Sequence, residues 1–178
     1  PMEGSNGSGR HVHQSFGCID STQGKNACVD ENDPYGLSKI AKHFIAGQLK
    51  HARALSAVIA PLVNSYRRLA RHTAAPINIE WGHDNRTVGI RSPISSPQAR
   101  RVENRVIGAD ANPYVALAMT LACGYLGMKN KIKPKPEMKG DAYLSPYALP
   151  RSLGEALDML RNEPDLHEVL GTGFITIY

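Results

Sequence analysis

Two histidines, His11 and His13, stand two residues apart in the segment RHVHQSF over positions 10–16. On an extended strand that spacing gives both imidazoles one face, shared with Ser15, while Val12, Gln14 and Phe16 take the other. Imidazoles so placed can ligate a divalent metal, although a bare pair fits a structural or surface role as well. The preceding Asn6-Gly7-Ser8-Gly9 is a turn whose backbone N–H groups can approach an anion, as they can in a plain hairpin. Far along the chain, Glu103 lies between Arg101 and Arg105, and the period of two again puts all three on one face. A solvated surface strand would carry the same triplet. Arg68, Arg86, Arg91 and Arg100 fall in the same stretch, between positions 68 and 105. The planar guanidinium fork matches carboxylate and phosphate geometry. Several arginines, one glutamate and two histidines on a sheet face suit a metal–phosphate site. They also suit a nucleic-acid backbone. That alternative lacks a stacking platform, because Phe, Trp and Tyr total 6% and none adjoins the strand arginines.

The elements that must position these groups follow from periodicity. Positions 10–16 read as a strand and 17–36 as a loop, with room for a short hairpin. Leu37, Ile40, Ala41, Phe44, Ile45 and Leu49 recur at helical spacing and define an amphipathic helix to about residue 52. A second short helix runs over 54–60 to Pro61. After a loop at 61–76, strands are expected at 77–81, 87–91 and 101–107, with turns at 82–85 and 92–98. Strands joined by turns without intervening helices predict an antiparallel sheet. Asn112 caps the next helix with Pro113 at its first position, and Tyr114, Leu117, Ala118, Leu121, Ala122 and Tyr125 form its expected core face. A basic, proline-containing loop covers 129–151. Ser152 and Glu155 make a capping box, and Leu153, Ala156, Leu157 and Leu160 give the following helix its stripe. A short helix over 164–170 precedes FITIY. Each element is half-apolar, so sheet and helices must share a core: an α+β domain, an antiparallel sheet packed with helices.

Composition bounds the function. The chain has 178 residues, 42% hydrophobic and 21% charged, with a net charge of +5. That is one globular domain with a leaning toward anionic partners. Cys18, Cys28 and Cys123 form no CxxC pair, so neither a disulfide framework nor a cysteine zinc site is expected, and a cytoplasmic location is the default. The longest apolar stretch is interrupted by Thr120 and Gly124, and no membrane span is expected. The chain opens at Pro1 in a glycine-rich segment and reads as a piece of a longer protein.

The motifs resemble those of the glutamine synthetase superfamily. NGSGRHVHQS (6–15) is similar to that family's NGSGMHxHxS. NSYRRL (64–69), DNRTVGIR (84–91), RRVENR (100–105) and ANPYVAL (111–117) follow in the family's order. The likeness extends over nearly the whole chain and implies the C-terminal portion (1–178) of a catalytic domain. The smaller N-terminal domain and the upstream metal-binding glutamates are missing. Within the superfamily the chain looks closer to glutamate–amine ligases such as γ-glutamylputrescine synthetases. The implied reaction is ATP-driven: the γ-phosphoryl passes to the side-chain carboxylate of glutamate, and an amine displaces phosphate, with Mg²⁺ or Mn²⁺ present. By resemblance, His11 and Glu103 are ligands of the metal near ATP. His13, Ser15, Arg86, Arg91 and Arg101 contact ATP. Asn6, Gly7, Arg68 and Arg105 bind glutamate, and Arg86 and Arg105 are the catalytic arginines. Arg91 stands five positions after Arg86, so one regular strand would put them on opposite faces, and Arg86 must act from the turn before the strand.

One departure bears on the substrate. The family's flap glutamate, which draws in ammonium and takes its proton, aligns with Ala74, and Arg71, His72 and Thr73 replace its Pro-Gly-Tyr. This puts ammonia in doubt and leaves room for an alkylamine or polyamine. Ordinary glutamine synthetase using ammonia, a drifted inactive assembly partner and a basic nucleic-acid-binding domain are the alternatives. Family members are stacked homo-oligomeric rings with sites shared between subunits. The isolated piece is therefore expected to bind metal weakly, to turn nothing over and to expose apolar surface.

Overall fold

The computed structural model describes residues 6–17, 24–70 and 74–178, so the readings at Cys18, Arg71, His72 and Thr73 lie outside the described residues. Four three-residue strands, β1 (Val12–Gln14), β2 (Trp81–His83), β3 (Ile90–Ser92) and β4 (Val102–Asn104), form one sheet in the order β1-β4-β3-β2. β4 is antiparallel to both neighbours, but β2 and β3 run parallel, with Trp81 opposite Ile90 and His83 opposite Ser92. The sheet is thus mixed, which corrects the expectation of an antiparallel one. β2 occupies Gly82 and His83, which were expected to turn.

A parallel pair ordinarily needs a crossover of a dozen or more residues. Here residues 84–89 suffice, because side-chain amides replace the missing backbone partners. Asn85 Oδ1 accepts from Thr87 N (2.9 Å) and Thr87 Oγ1 (2.7 Å), while Asn78 donates to Thr87 O (3.0 Å) and accepts from Gly89 N (3.2 Å). Asp84 takes a left-handed φ of 49°, which Asp tolerates better than most residues. Alternation of apolar residues carries no sign of such a return.

Among the described residues there are six α-helices, three of them with side-chain caps: α1 (Lys39–Lys50), α2 (Ala52–Ile59), α3 (Pro113–Lys129), α4 (Leu153–Arg161), α5 (Pro164–Leu170) and α6 (Thr172–Ile177). Ser38, Asn112 and Ser152 accept from the first-turn N–H groups of Ala41, Tyr114 and Glu155. Glu155 completes its half of the capping arrangement one residue early, on Arg151 N (2.9 Å). α1 lays Phe44, Ile45 and Leu49 on Trp81, Ile90 and Val102 of the sheet. A second cluster joins α2, α3, α4 and α5 through Leu55, Ile59, Met119, Leu126, Leu160 and Leu166. Each such buried side chain contributes about 1.5–3 kcal/mol.

The face of α3 is the second correction. Tyr114 is 81% exposed and Tyr125 48%, and Leu117, Ala118 and Leu121 are exposed too; of the expected face only Ala122 is buried. The core side is Ala116, Met119, Cys123 and Leu126. α3 is apolar all round, so periodicity cannot choose its face. Glycine chooses it. A Cβ on Gly127 would lie 2.1 Å from His43 O, one on Gly47 2.1 Å from Cys123 O, and one on Gly124 1.9 Å from Phe44 Cε2. α1 and α3 touch backbone to backbone where no side chain intervenes.

This contact makes a paired prediction. Gly127→Ala must push two backbones apart and should cost upward of ~2 kcal/mol, the upper range for overpacking. Gly154→Ala, in α4 with nothing near its Cβ, should stabilise by about 0.4–1 kcal/mol. Urea midpoints of the two variants should therefore move in opposite directions; equal midpoints would contradict the packing.

Candidate active site

Register builds the site. β1 and β4 place His13 opposite Glu103, and directly opposed residues share a face. His11, two residues earlier, stands on that face as well. Its Nδ1 lies 3.0 Å from Glu103 Oε1, and His13 Nε2 lies 3.9 Å from the same oxygen. Arg105 donates to Oε1 (3.0 Å) and Arg91, from β3, donates to Oε2 (2.9 Å). Arg91 also pairs with Asp84, at the start of the tight crossover. Arg101 donates from Nε to His13 Nδ1 (3.0 Å), so that nitrogen carries the lone pair and Nε2 the hydrogen. Glu103 itself is only 2% exposed, while both imidazoles are open to solvent. The triplet 101–105 is therefore no solvated strand: Val102, Glu103 and Asn104 are all buried.

The charges set the protonation states. Burial alone would raise the Glu103 carboxyl, but the Arg91 hydrogen bond and the charges of Arg105 and Arg91 outweigh it and hold the group below the usual range. Burial, then the repulsion of Arg105, lowers His11; burial lowers His13, with Arg101 and Arg91 adding to it against the pull of Glu103. The site thus holds one fixed carboxylate and two neutral imidazoles inside a ring of guanidinium groups. A nitrogen and a carboxylate oxygen in contact are a donor pair that fits one divalent ion. Glu103 has lone-pair capacity beyond its arginine bonds.

Arg68 underlies the site. It is buried, donates to Val106 O (2.6 Å) and Arg105 O (3.1 Å), and lies against Gly7 and Gly9 so closely that a Cβ on either would meet it within 2.8 Å. The glycine turn is glycine because this arginine occupies the room. Asn6, Ser15 and Arg86 are exposed, and among the described residues no hydrogen bond or ion pair joins them to the cluster. Arg86 sits in the turn before β3, as its spacing from Arg91 requires.

The supporting residues were missed. Behind the sheet, Asn104 donates to Gln48 (2.9 Å), Gln48 to Gln14 (3.0 Å) and Gln14 to Thr120 (3.1 Å), a buried amide chain linking β4, α1, β1 and α3. Gln14 and Asn104 alternate against His13 and Glu103, so their burial was deducible from the faces, but the partners on α1 and α3 were not. Asp84 gave no signal beyond its place beside Asn85.

Comparison with known proteins gives the family. The family model described as glutamine synthetase, catalytic domain, matches residues 1–178. A glutamine synthetase of Thermus thermophilus is 41% identical over 180 residues, covering 96% of this chain and 40% of that protein. One from Pyrococcus woesei is 41% identical over 183 residues, with 98% and 40% covered. A solved structure titled apo GmaS without ligand superposes with a TM-score of 0.78 at 35% identity, over 93% of this chain and 38% of that one. The chain belongs to the glutamine synthetase catalytic-domain family and spans about two fifths of the length of these relatives. No described helix is long and apolar enough to cross a membrane.

The histidines set a pH dependence. His11, His13, His51 and His83 all lie below the ordinary imidazole value of 6.5, burial being the largest cause in each. The unfolded chain therefore binds more protons than the folded one as pH falls through that value, and stability rises with pH there. Denaturant midpoints should decline steadily from pH 7.5 to about 5.5, before carboxylates titrate. A flat profile over that window would contradict the neutral imidazoles.

Proposed function

We propose that the protein carrying this chain is an ATP-dependent glutamate ligase, transferring the γ-phosphoryl of ATP to the side-chain carboxylate of glutamate and replacing phosphate with an amine. The observation that carries this reading is the His11–Glu103 pair, 3.0 Å apart on facing strands inside a cluster of arginines. His11 and Glu103 would hold Mg²⁺ or Mn²⁺, which when bound supplies positive charge to the phosphate oxygens.

The chain's own groups supply the rest. Arg91, fixed between Asp84 and Glu103, and Arg105 present guanidinium charge where negative charge accumulates as the phosphoryl group moves. Arg86 reaches in from its exposed turn to the same oxygens. His13 keeps its Nε2–H outward and can donate it to a phosphate oxygen, because Arg101 holds the other nitrogen. Ser15, farther along β1's exposed edge, meets the nucleoside. Glutamate lies over the Asn6–Gly7 turn, with Arg105 facing its carboxylate and Arg68 bracing the turn from beneath. Attack of the free-base amine nitrogen on the carbonyl of the acyl phosphate then expels phosphate, which takes up the proton that the nitrogen gives up, while an ammonium ion must first lose a further proton.

That proton bears on the choice of amine. Ala74 is exposed, with its carbonyl accepting from Tyr143 Oη at 2.8 Å. At the flap position a methyl group can neither attract ammonium nor accept its proton. We take this to favour an alkylamine or polyamine, whose methylenes contribute about 0.8 kcal/mol each on burial. The relatives named glutamine synthetase favour ammonia as the second reading. The protein is also proposed to act as a homo-oligomer, for which the exposed apolar side of α3, Tyr114 to Tyr125, is a fitting surface.

The test is glutamate-dependent ADP release by the protein containing this chain, across ammonia, monoamines and putrescine at matched free-base concentration. The reading expects kcat/KM for an organic amine to exceed that for ammonia by about tenfold, or 1.4 kcal/mol, and Ala74→Glu to shift the preference back. Ammonia ahead by that factor would replace the amine reading with the second one; no glutamate-dependent turnover with any nitrogen donor would overturn both.

A further inference from the structure

The junction of α1 and α2 holds a buried histidine that the reaction does not use. His51 closes α1 through its backbone N–H on Gly47 O and Leu49 O, which fixes its place in the chain. Its side chain is 0% exposed, and neither ring nitrogen makes a hydrogen bond. Buried polar atoms are seldom left so, and each exception calls for an explanation. Facing it are Glu163 and Asp165, at the start of α5, both partly open to solvent. One ligand atom from each of the three residues lies within 4.8 Å of the others.

We propose that His51, Glu163 and Asp165 form a site for a divalent ion of the zinc class, separate from the candidate active site and sharing no residue with it. The distances favour an ion over a hydrogen bond. His51 Nδ1 and Glu163 Oε2 are 3.4 Å apart, beyond the roughly 2.7–3.2 Å of an N–H···O bond. Bonds of about 2.0–2.1 Å to a tetrahedral ion place neighbouring ligands about 3.3 Å from each other, so the His51–Glu163 pair already has the spacing, and the triad, whose ligand atoms lie within 4.8 Å of one another, draws in on binding. The donor set decides the ion. One imidazole and two carboxylates, with a fourth position left for water, suit Zn²⁺; Mg²⁺ prefers oxygen alone and keeps its waters. Burial keeps the imidazole in its neutral, ligating form near neutral pH, against the opposing pull of Glu163. Two carboxylates then balance the ion's charge, and their exposed edges give it a way in.

Lys50 is the competitor. Its ammonium lies 2.6 Å from Asp165 Oδ2 and neutralises part of the charge the ion would meet. The site therefore makes a prediction of opposite signs: weakening a carboxylate must loosen the ion, and removing the ammonium must tighten it. A purely structural histidine–glutamate pair predicts neither.

The test uses the full chain in excess Mg²⁺, so that oxygen-preferring sites are filled, titrated with Zn²⁺ and with Co²⁺ as a spectroscopic probe. One equivalent of Co²⁺ should give the intense visible absorption of a four-coordinate ion, and Zn²⁺ should displace it. Asp165→Asn and Glu163→Gln should each weaken binding by tenfold or more, and Lys50→Gln should strengthen it several-fold. His51→Gln should abolish it, but a buried change can unfold the chain. Asp165→Asn, at a partly exposed position, is therefore the deciding variant, with circular dichroism confirming its fold. Zn²⁺ should raise Tm for the parent chain and leave that of Asp165→Asn unmoved. The proposal is overturned by unchanged affinity in Asp165→Asn and Glu163→Gln, or by an equivalent of Zn²⁺ that disappears with His11→Gln instead.

Discussion

A carboxylate buried to 2% exposure is the constraint on which this structure turns. Taking an ionised carboxylate out of water costs several kcal/mol even after the protein relaxes, and only close partners offset it. Glu103 has Arg91 on one oxygen and Arg105 with His11 at the other. Those partners come from β3, from the chain just beyond β4 and from the chain just before β1. The charge can be buried only when three separate stretches meet in register, so the same requirement that stabilises the sheet assembles the site. Removing Glu103 would leave two guanidinium groups facing each other with nothing between them. The damage would be larger than the loss of any one contact.

Two devices with no chemistry of their own hold those stretches in register. One is the amide chain Asn104–Gln48–Gln14–Thr120, which ties the back of the sheet to α1 and α3 through side chains whose polar atoms each have a partner. A network of this kind is specific because each member left unpaired in the interior would be costly. The other is the glycine contact between α1 and α3, which sets how near the helices come and hence how deep Gln48 reaches. Arg68 adds a third support, bracing the glycine turn against the carbonyls of Arg105 and Val106.

The elements that depend on local pattern were legible, and those that depend on distant partners were not. The α1 stripe reads correctly apart from Ile40, which is exposed, because Phe44, Ile45 and Leu49 recur at helical spacing against polar neighbours. His11, His13 and Glu103 could be placed on shared faces by counting residues, and the arginine-rich character of that face followed from composition. The parallel pairing of β2 and β3 was illegible because Asn78 and Asn85 look like any turn residues until the carbonyls they bind are in place. The orientation of α3 was illegible because every side of it is apolar, and the deciding residues are glycines that contribute no periodicity. Arg68 could be listed among the arginines, but its buried position under the turn depends on strand β4, far from it in sequence.

The balance of charge says what the face awaits. Arg91, Arg101 and Arg105 surround Glu103, Asp84 pairs with Arg91, and Arg86 stands on the adjoining turn. Cations exceed carboxylates, and the excess is what helps depress His11 and His13. Neutral imidazoles are needed if His11 is to ligate an ion and His13 is to keep a lone pair for Arg101. A field that keeps them neutral also draws polyanions. One carboxylate with a histidine beside it gives a cation a seat inside that positive field, where a bare arginine cluster would repel it. As proposed, the face holds an anion and a cation together, each offsetting the charge of the other.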